Sequence, residues 1–207
     1  MAKKLKSIQG QTLKRLKIYN GRPDSMDGRK RVEVDSYDLL DRCGVEYVTV
    51  CHEAVFTMEA CRDVEEALGV TIFKNLFLCN RQQTEFYLLM LPADKAFKTK
   101  KLSETLRCSR LSFARPEQMT SLLGIEPGAV SPLGLMNDKE GMVRLVVDND
   151  LLAYKSVGCH PCVNTSTVRL SLNDLLQKII PSTGHPATFV NLHNNATEYN
   201  HPRQATS

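Results

Sequence analysis

Residues 71–91 read TIFKNLFLCNRQQTEFYLLML. Two runs in this stretch, 71–78 and 85–91, are rich in aromatic and branched apolar residues, as is typical of β-strands. The polar residues 80–83 between them are typical of a turn. The stretch therefore predicts two consecutive strands, and Lys74 is a charged exception inside the first of them.

The segments on either side alternate between helical and strand-like patterns. Toward the N-terminus we expect a helix capped by Ser36 and ended by Gly44, a strand at 45–51 and a helix at 57–68. Toward the C-terminus we expect a helix at 116–123, a β-hairpin of 142–147 with 152–156, a helix from Ser171 that Pro181 ends, and a last strand at 188–192. These elements predict one α/β domain of the α+β type, with a mixed, largely antiparallel sheet flanked by helices.

The composition is that of an ordinary globular protein, with 42% hydrophobic and 24% charged residues. No apolar run approaches the ~20 residues that a membrane-spanning helix needs, so we expect no membrane partner. The seven cysteines show no framework of paired spacings, which indicates reduced thiols. We expect a cytoplasmic protein, with organelle targeting by the N-terminal segment as the alternative.

Positive charge is concentrated in two segments. Residues 1–31 carry ten Lys or Arg residues against Asp24 and Asp27, and residues 95–115 carry seven against Glu104. Such patches favour a polyanionic partner, although a solvated tail and a solvated loop would look the same. We predict a basic N-terminal extension (1–32), a folded domain (33–193) and a C-terminal tail (194–207). The extension could be a nucleic-acid-binding arm, a targeting segment or disordered padding.

Three polar groups of residues are candidates for chemistry. The first is Lys74 with Asn75, in an otherwise apolar run. A lysine is seldom buried without a partner, so Lys74 either faces a cleft or extends to the rim of the strand. The second is the stretch 128–134, GAVSPLG, whose glycine and proline fix a backbone turn that could face a ligand.

The third group is the stretch 158–167, GCHPCVNTST, which combines a histidine, an amide and three hydroxyls. Such a density of hydrogen-bonding groups suits a small polar ligand. The spacing of Cys159 and Cys162 also fits a redox pair or half of a zinc site, but no second pair at metal-ligand spacing accompanies it. Glycine-rich phosphate loops, nucleophile elbows and zinc-protease motifs do not occur.

These segments resemble a known family. The blocks 73–78 (FKNLFL), 128–132 (GAVSP) and 158–167, joined by 52–60 (HEAVFTMEA) and 110–114 (RLSFA), are similar to the signature blocks of the YbaK-like editing family, which is related to the insertion domain of bacterial prolyl-tRNA synthetase. Within that family the chain most resembles the free-standing alanyl-tRNA(Pro) deacylases. The resemblance implies a single α/β domain with a curved mixed sheet around a small pocket. It also implies hydrolysis of the ester between a mischarged amino acid and the 3′ end of tRNA.

The resemblance further implies the site residues. Lys74 and His160 are the expected catalytic residues, with His160 either a general base or a wall of the pocket. The expected substrate-binding residues are Asn75, Gly128, Ser131, Pro132, Gly158 and Asn164. For tRNA binding, the basic segments offer Lys3, Lys4, Lys14, Arg15, Lys98, Lys100 and Lys101. We expect no cofactor and no metal, because an aminoacyl ester is already activated.

The expected partner is the acceptor end of tRNA(Pro), and prolyl-tRNA synthetase is a further candidate partner. The amino acid removed is expected to be alanine, because a synthetase site built for proline cannot strongly exclude a smaller side chain. The alternatives are editing of serine, cysteine or threonine, a non-catalytic tRNA-binding or synthetase-binding module, and a thiol redox protein that uses Cys159 and Cys162.

Overall fold

The computed structural model describes residues 16–54 and 58–192, excepting the side chains of 58–61. The strands are β1 (Lys17–Asn20), β2 (Tyr47–Cys51), β3 (Lys74–Asn80), β4 (Phe86–Leu91), β5 (Leu111–Phe113), β6 (Val143–Asp148), β7 (Ser156–Cys159), β8 (Ser166–Ser171) and β9 (Ala187–Val190). The helices are α1 (Arg31–Arg42), α2 (Met58–Leu68), α3 (Thr99–Leu106), α4 (Pro116–Leu123) and α5, which joins Leu172–Asp174, the π-helical Leu175–Ile179 and Ile180–Ser182. Short 3₁₀ helices occupy Pro132–Asn137 and Asn149–Ala153. None of these helices is long and apolar enough to cross a membrane, within the part of the chain that is described.

The strands form two sheets. The first sheet has the order β1-β2-β8-β7, with every pairing antiparallel. The second has the order β5-β3-β4-β6-β9, antiparallel from β5 to β4 and parallel from β4 to β9. An isolated bridge between Ile72 and Gly158 connects them. The predicted α/β fold with mixed, largely antiparallel strands is confirmed, and its strands are divided between two sheets.

The central strand β4 shows why the second sheet is covered on both faces. Side chains alternate across a strand, and all six residues of β4 are buried. Phe86, Leu88 and Met90 join the main core, which takes side chains from both sheets, α1 and α5. Tyr87, Leu89 and Leu91 join a second cluster, which includes Leu102 of α3. The second sheet therefore has an inner face toward the main core and an outer face toward α3.

The predicted hairpin of 142–147 with 152–156 is wrong. Strand β6 lies between β4 and β9 in parallel, whereas β7 belongs to the other sheet. The side chain of Asp148 accepts a hydrogen bond from the backbone N–H of Asp150 at 3.0 Å, which caps a 3₁₀ helix at the place where the hairpin turn was expected. The chain thus leaves the second sheet instead of folding back along it.

Two predicted helix ends also differ. Helix α1 begins at Arg31, and Ser36 is buried inside it, donating to the Val32 carbonyl at 2.8 Å. Helix α5 continues through Pro181 to Ser182. Proline lacks an N–H and its ring crowds the carbonyl four residues earlier, so the wider π-helical turn that precedes it provides room.

Part of the predicted N-terminal extension is folded. Strand β1 pairs with β2, and Arg22 forms ion pairs with Asp38 and Asp41 of α1. Arg29 pairs with Glu33, Lys30 with Glu126, and Arg31 with Asp35. These cations are neutralised within the domain. The predicted tRNA-binding residues Lys3, Lys4, Lys14 and Arg15, and the tail 194–207, lie outside the described residues.

Candidate functional site

Lys74 is the first residue of β3, and its ammonium group donates a hydrogen bond to the main-chain carbonyl of Lys95 at 3.0 Å. Lys95 is itself buried, and its own ammonium group lies 2.6–2.8 Å from carboxylate oxygens of Asp148 and Asp150. Lys74 has no carboxylate partner among the described residues. The charge of Lys95 is thus balanced by two carboxylates, whereas the charge of Lys74 is not balanced by any carboxylate of the described residues.

Asn75 lies on the opposite face of β3 from Lys74, because successive side chains in a strand alternate. Its neighbours at i−2 and i+2, Phe73 and Phe77, belong to the main core. The side-chain oxygen of Asn75 is buried and has no hydrogen-bond partner among the described residues. Since a buried acceptor without a partner costs about 1–3 kcal/mol, this atom is suited to a ligand that brings a donor.

His160 follows β7, and its ring orientation is set by a backbone contact. Nδ1 lies 2.8 Å from the carbonyl oxygen of Ser166. A carbonyl only accepts, so Nδ1 carries the proton and Nε2 carries the free lone pair. Burial lowers the pKa of His160; the bond to Ser166 opposes this shift, and the nearby His52 adds to it. His160 is therefore neutral over a wider pH range than a free histidine.

His52 is a site residue that the sequence analysis did not select. It directly follows β2, and its ring centroid lies 6.2 Å from that of His160. Its Nδ1 donates to the Glu53 carbonyl at 2.8 Å, so its Nε2 accepts a hydrogen bond from the Thr167 hydroxyl at 3.0 Å. The Thr167 oxygen lies 3.4 Å from Nδ1 of His160 and so lies between the two histidines. Burial lowers the pKa of His52, with the bond to Glu53 opposing.

A buried hydrogen-bond network adjoins the histidine pair through Ser166. The Ser166 hydroxyl donates to the Glu33 carboxylate at 2.9 Å, and Tyr37 donates to the same oxygen at 3.1 Å. Arg29 pairs with Glu33 and also contacts Cys51 at 3.2 Å. Helix α1 is in this way joined to β8 directly beneath His160.

Asn164 and Gly128 lie near each other. A Cβ added to Gly128, whose φ is +89°, would meet the side-chain nitrogen of Asn164 at 3.7 Å. Asn164 lines a cavity of about 370 Å³ together with Arg29 and Glu33, among others. The cavity connects the 128–132 and 158–167 segments that the sequence analysis selected separately.

Three other expected substrate-binding residues, Ser131, Pro132 and Gly158, have structural roles in the fold. Ser131 is fully buried and caps the 3₁₀ helix Pro132–Asn137, accepting from the Leu133 N–H at 3.3 Å. Pro132, also buried, is the first residue of that helix. A Cβ on Gly158 would lie 2.9 Å from a side-chain atom of Ile72, so glycine allows the two sheets to meet there.

The thiols of Cys159 and Cys162 are buried, and burial raises the pKa of each to about 12. A thiol needs to ionise to act as a nucleophile or metal ligand, so both environments disfavour the redox and zinc hypotheses. Over residues 16–54 and 58–192, no group of three His, Cys, Asp or Glu residues is placed to hold a metal ion.

Comparison with known proteins gives consistent results. The profile of the aminoacyl-tRNA editing domain matches residues 52–178. The prolyl-tRNA editing protein ProX of Acetoanaerobium sticklandii is 32% identical over 153 residues, covering 74% of this chain and 93% of that protein. The prolyl-tRNA synthetase associated domain-containing protein 1 of Danio rerio is 30% identical over 162 residues, covering 77% and 85%. The crystal structure of a proposed trans-editing enzyme for prolyl tRNA synthetase has the same fold. Its TM-score is 0.59 at 18% sequence identity, and the match covers 78% of this chain and 98% of that chain.

Proposed function

The chain belongs to the aminoacyl-tRNA editing domain family, and from this premise we propose that it is a trans-editing deacylase that removes alanine from mischarged tRNA(Pro). The observation that carries the proposal is the pair of neighbours on β3. Lys74 offers a cation that has no carboxylate partner within the described part of the chain, and Asn75 offers a buried acceptor on the opposite face. The end of the strand thus suits a ligand with an anionic part and an amine, as the 3′ end of an aminoacyl-tRNA has.

In this proposal each residue acts on a different part of the substrate. Lys74 binds the terminal phosphate, and the α-amine of the amino acid donates to the oxygen of Asn75. Asn164 and the turn at Gly128 line the pocket around the substrate. The expected partner is the acceptor end of tRNA(Pro), as the names of the relatives suggest.

His160 serves as the general base. Its Nε2 lone pair accepts a proton from water as the water oxygen attacks the ester carbonyl. When the carbon–oxygen bond to the ribose breaks, Nε2 returns that proton to the ribose oxygen, so the histidine is neutral again. The products are free alanine and tRNA with a 3′-terminal hydroxyl. Thr167 stabilises the protonated ring, because its oxygen faces Nδ1 of His160 while its own proton is donated to His52.

The test is deacylation of a panel of tRNA(Pro) molecules charged with alanine, serine, cysteine, threonine or proline. Alanyl-tRNA(Pro) is expected to react fastest, and prolyl-tRNA(Pro) slowest, because the pocket excludes the pyrrolidine ring. Equal rates on alanyl and prolyl substrates would reject the specificity. Activity on none of them would reject the catalytic function. EDTA should leave the rate unchanged, since no step requires a metal.

A further inference from the structure

The outer face of the second sheet carries both Lys74 and an exposed aromatic residue. In the register of β3 with β5, Leu78 lies opposite Phe113. Leu78 belongs to the outer cluster, and Lys74 lies on the same face because it is four residues earlier in β3. Phe113 is 62% exposed, more than any other large apolar side chain described. β5 is an edge strand, so Phe113 stands at the margin of this face.

Several cations lie on helix α3 and on the segments before and after β5. Helix α3 packs on the outer face through Leu102, and Lys98, Lys100 and Lys101 lie at its beginning. Arg107, Arg110 and Arg115 are exposed beside β5. Among the described residues, the one ion pair in this group is a long contact of 3.9 Å between Lys100 and Glu104. By contrast, Arg22, Arg29 and Arg31 are all paired within the domain.

We propose that this surface, from Lys74 over Phe113 to Arg110, binds the acceptor arm of the tRNA; the inference rests on the proposed function. Unpaired cations bind the phosphates, and Phe113 stacks on a base. The occupant is RNA rather than an acidic protein segment, because an exposed ring among unpaired arginines and lysines suits bases joined by phosphates.

The length of the strand matches this occupant. From Lys74 to Leu78 the chain advances four residues, or ~13 Å at about 3.3 Å per residue. Along one strand of a nucleic-acid helix the phosphates are about 3.4 Å apart, so ~13 Å corresponds to about four nucleotides. Phe113 therefore lies about four nucleotides from Lys74 along this face, and the antiparallel register of β3 with β5 places Arg110 farther from Lys74 than Phe113.

The experiment measures direct binding of uncharged tRNA(Pro) to the full-length protein across a salt series. Phe113→Ala should raise Kd about fivefold to hundredfold, the range measured for loss of one stacked base. Arg110→Glu should weaken binding and reduce the salt slope by about one or more. The matched controls are Phe189→Ala, an exposed ring on the edge strand β9, and Lys139→Glu, an exposed cation in the loop before β6. Both controls should bind as the wild type does.

The outcomes separate the two proposals. Weaker tRNA binding by Phe113→Ala and Arg110→Glu, but not by the controls, supports the surface even if no mischarged tRNA is hydrolysed. Wild-type affinity in both variants overturns the surface, whether or not the protein is a deacylase. Loss of binding to prolyl-tRNA synthetase with tRNA binding intact would also overturn it, because the ring would then serve a protein contact.

Discussion

The ammonium group of Lys74 is held by the main-chain carbonyl of Lys95, 3.0 Å away. The two ammonium groups differ in their partners, because Lys95 contacts carboxylates and Lys74 contacts a neutral carbonyl. Burial opposes the charge of Lys95, but its hydrogen bonds to Asp148 and Asp150 outweigh this effect and raise its pKa. A neutral carbonyl orients Lys74 without cancelling its charge. Lys95 is therefore a structural cation and Lys74 is available to an anionic ligand.

We expect Lys74→Ala to lose most of the hydrolysis rate while remaining folded. One charge-assisted contact is worth roughly 1.5–3 kcal/mol, which corresponds to about a tenfold to hundredfold loss. Lys74→Arg should restore little, because a planar guanidinium does not replace a compact ammonium. Single-turnover deacylation of alanyl-tRNA(Pro) measures both variants, with Lys139→Ala as the control. Near-normal turnover by Lys74→Ala would place the active site elsewhere.

The histidine pair predicts the pH dependence of kcat. His160 acts in its neutral form, and burial lowers its pKa below the ordinary ~6.5. The active form thus persists below pH 6.5, and kcat should fall only as pH decreases through the lowered pKa. In His160→Gln, the decrease of kcat at acidic pH should disappear, and kcat should be lower than in the wild type at every pH above that range. A decrease that remains in this variant would assign the titration to another group.

Folding stability should depend on the same two histidines. His52 and His160 both have pKa values lowered by burial in the folded state, so the unfolded chain binds more protons as pH falls through about 6.5. Stability should therefore be highest above this pH and decrease below it. Chemical denaturation of the wild type and of a His52→Gln, His160→Gln double variant, at pH 7.5 and 5.5, measures the effect. An equal change in both proteins would refute the assignment.

The Thr167 hydroxyl, which connects the two histidines, should contribute to the rate. Thr167→Val removes one neutral hydrogen bond, worth about 0.5–1.5 kcal/mol, so we expect roughly a twofold to tenfold lower kcat. Thr167→Ser keeps the hydroxyl and should retain most of the activity. If the valine and serine variants behave alike, the hydroxyl has no role in the reaction and the contact is structural.

A buried hydrogen bond between His185 and Asp138 should contribute to stability. Nε2 of His185 lies 3.0 Å from the Asp138 carboxylate, and the two side chains are 3% and 2% exposed. Asp138 also accepts from the N–H groups of Met142 and Val143. His185→Ala should cost about 1–3 kcal/mol, since it leaves a buried carboxyl oxygen without one of its hydrogen-bond partners. Lys178→Ala, which removes an exposed pair with Asp174, should cost less than about 1 kcal/mol in the same denaturation experiment.

Deletion of residues 1–15 tests the basic arm and leaves β1 in the chain. This segment contains Lys3, Lys4, Lys6, Lys14 and Arg15 and no acidic residue. Its removal should weaken tRNA binding and flatten the salt dependence. A longer deletion to residue 31 would also remove β1 and the partners of Asp38 and Asp41, and should destabilise the domain. Unchanged binding after the short deletion would leave the arm as padding or a targeting segment.

The sequence by itself determined the local elements that present the site. The apolar runs on either side of the turn at 80–83 predicted the strands β3 and β4. In the structure they pair from Lys74 opposite Leu91 to Cys79 opposite Phe86. The polar blocks around Lys74, Gly128 and His160 were visible because polar side chains interrupt apolar patterns. Such signals come from residues close together in the chain, whose periodicity and turn chemistry act before any packing.

Only the tertiary structure decided which of these elements meet. The pattern at 142–156 fits a hairpin as well as two strands of separate sheets, and burial of β6 between β4 and β9 selected the second. His52 lies next to His160 because Cys51 pairs with Ser166, 115 residues away. The sequence analysis predicted Lys74 and Asn75 as one group. In the structure their side chains lie on opposite faces of β3, because alternate residues of this strand face the main core and the outer cluster. Strands pair in the arrangement that buries the apolar faces of all helices and strands together. This arrangement depends on the whole chain, so no single segment can reveal it.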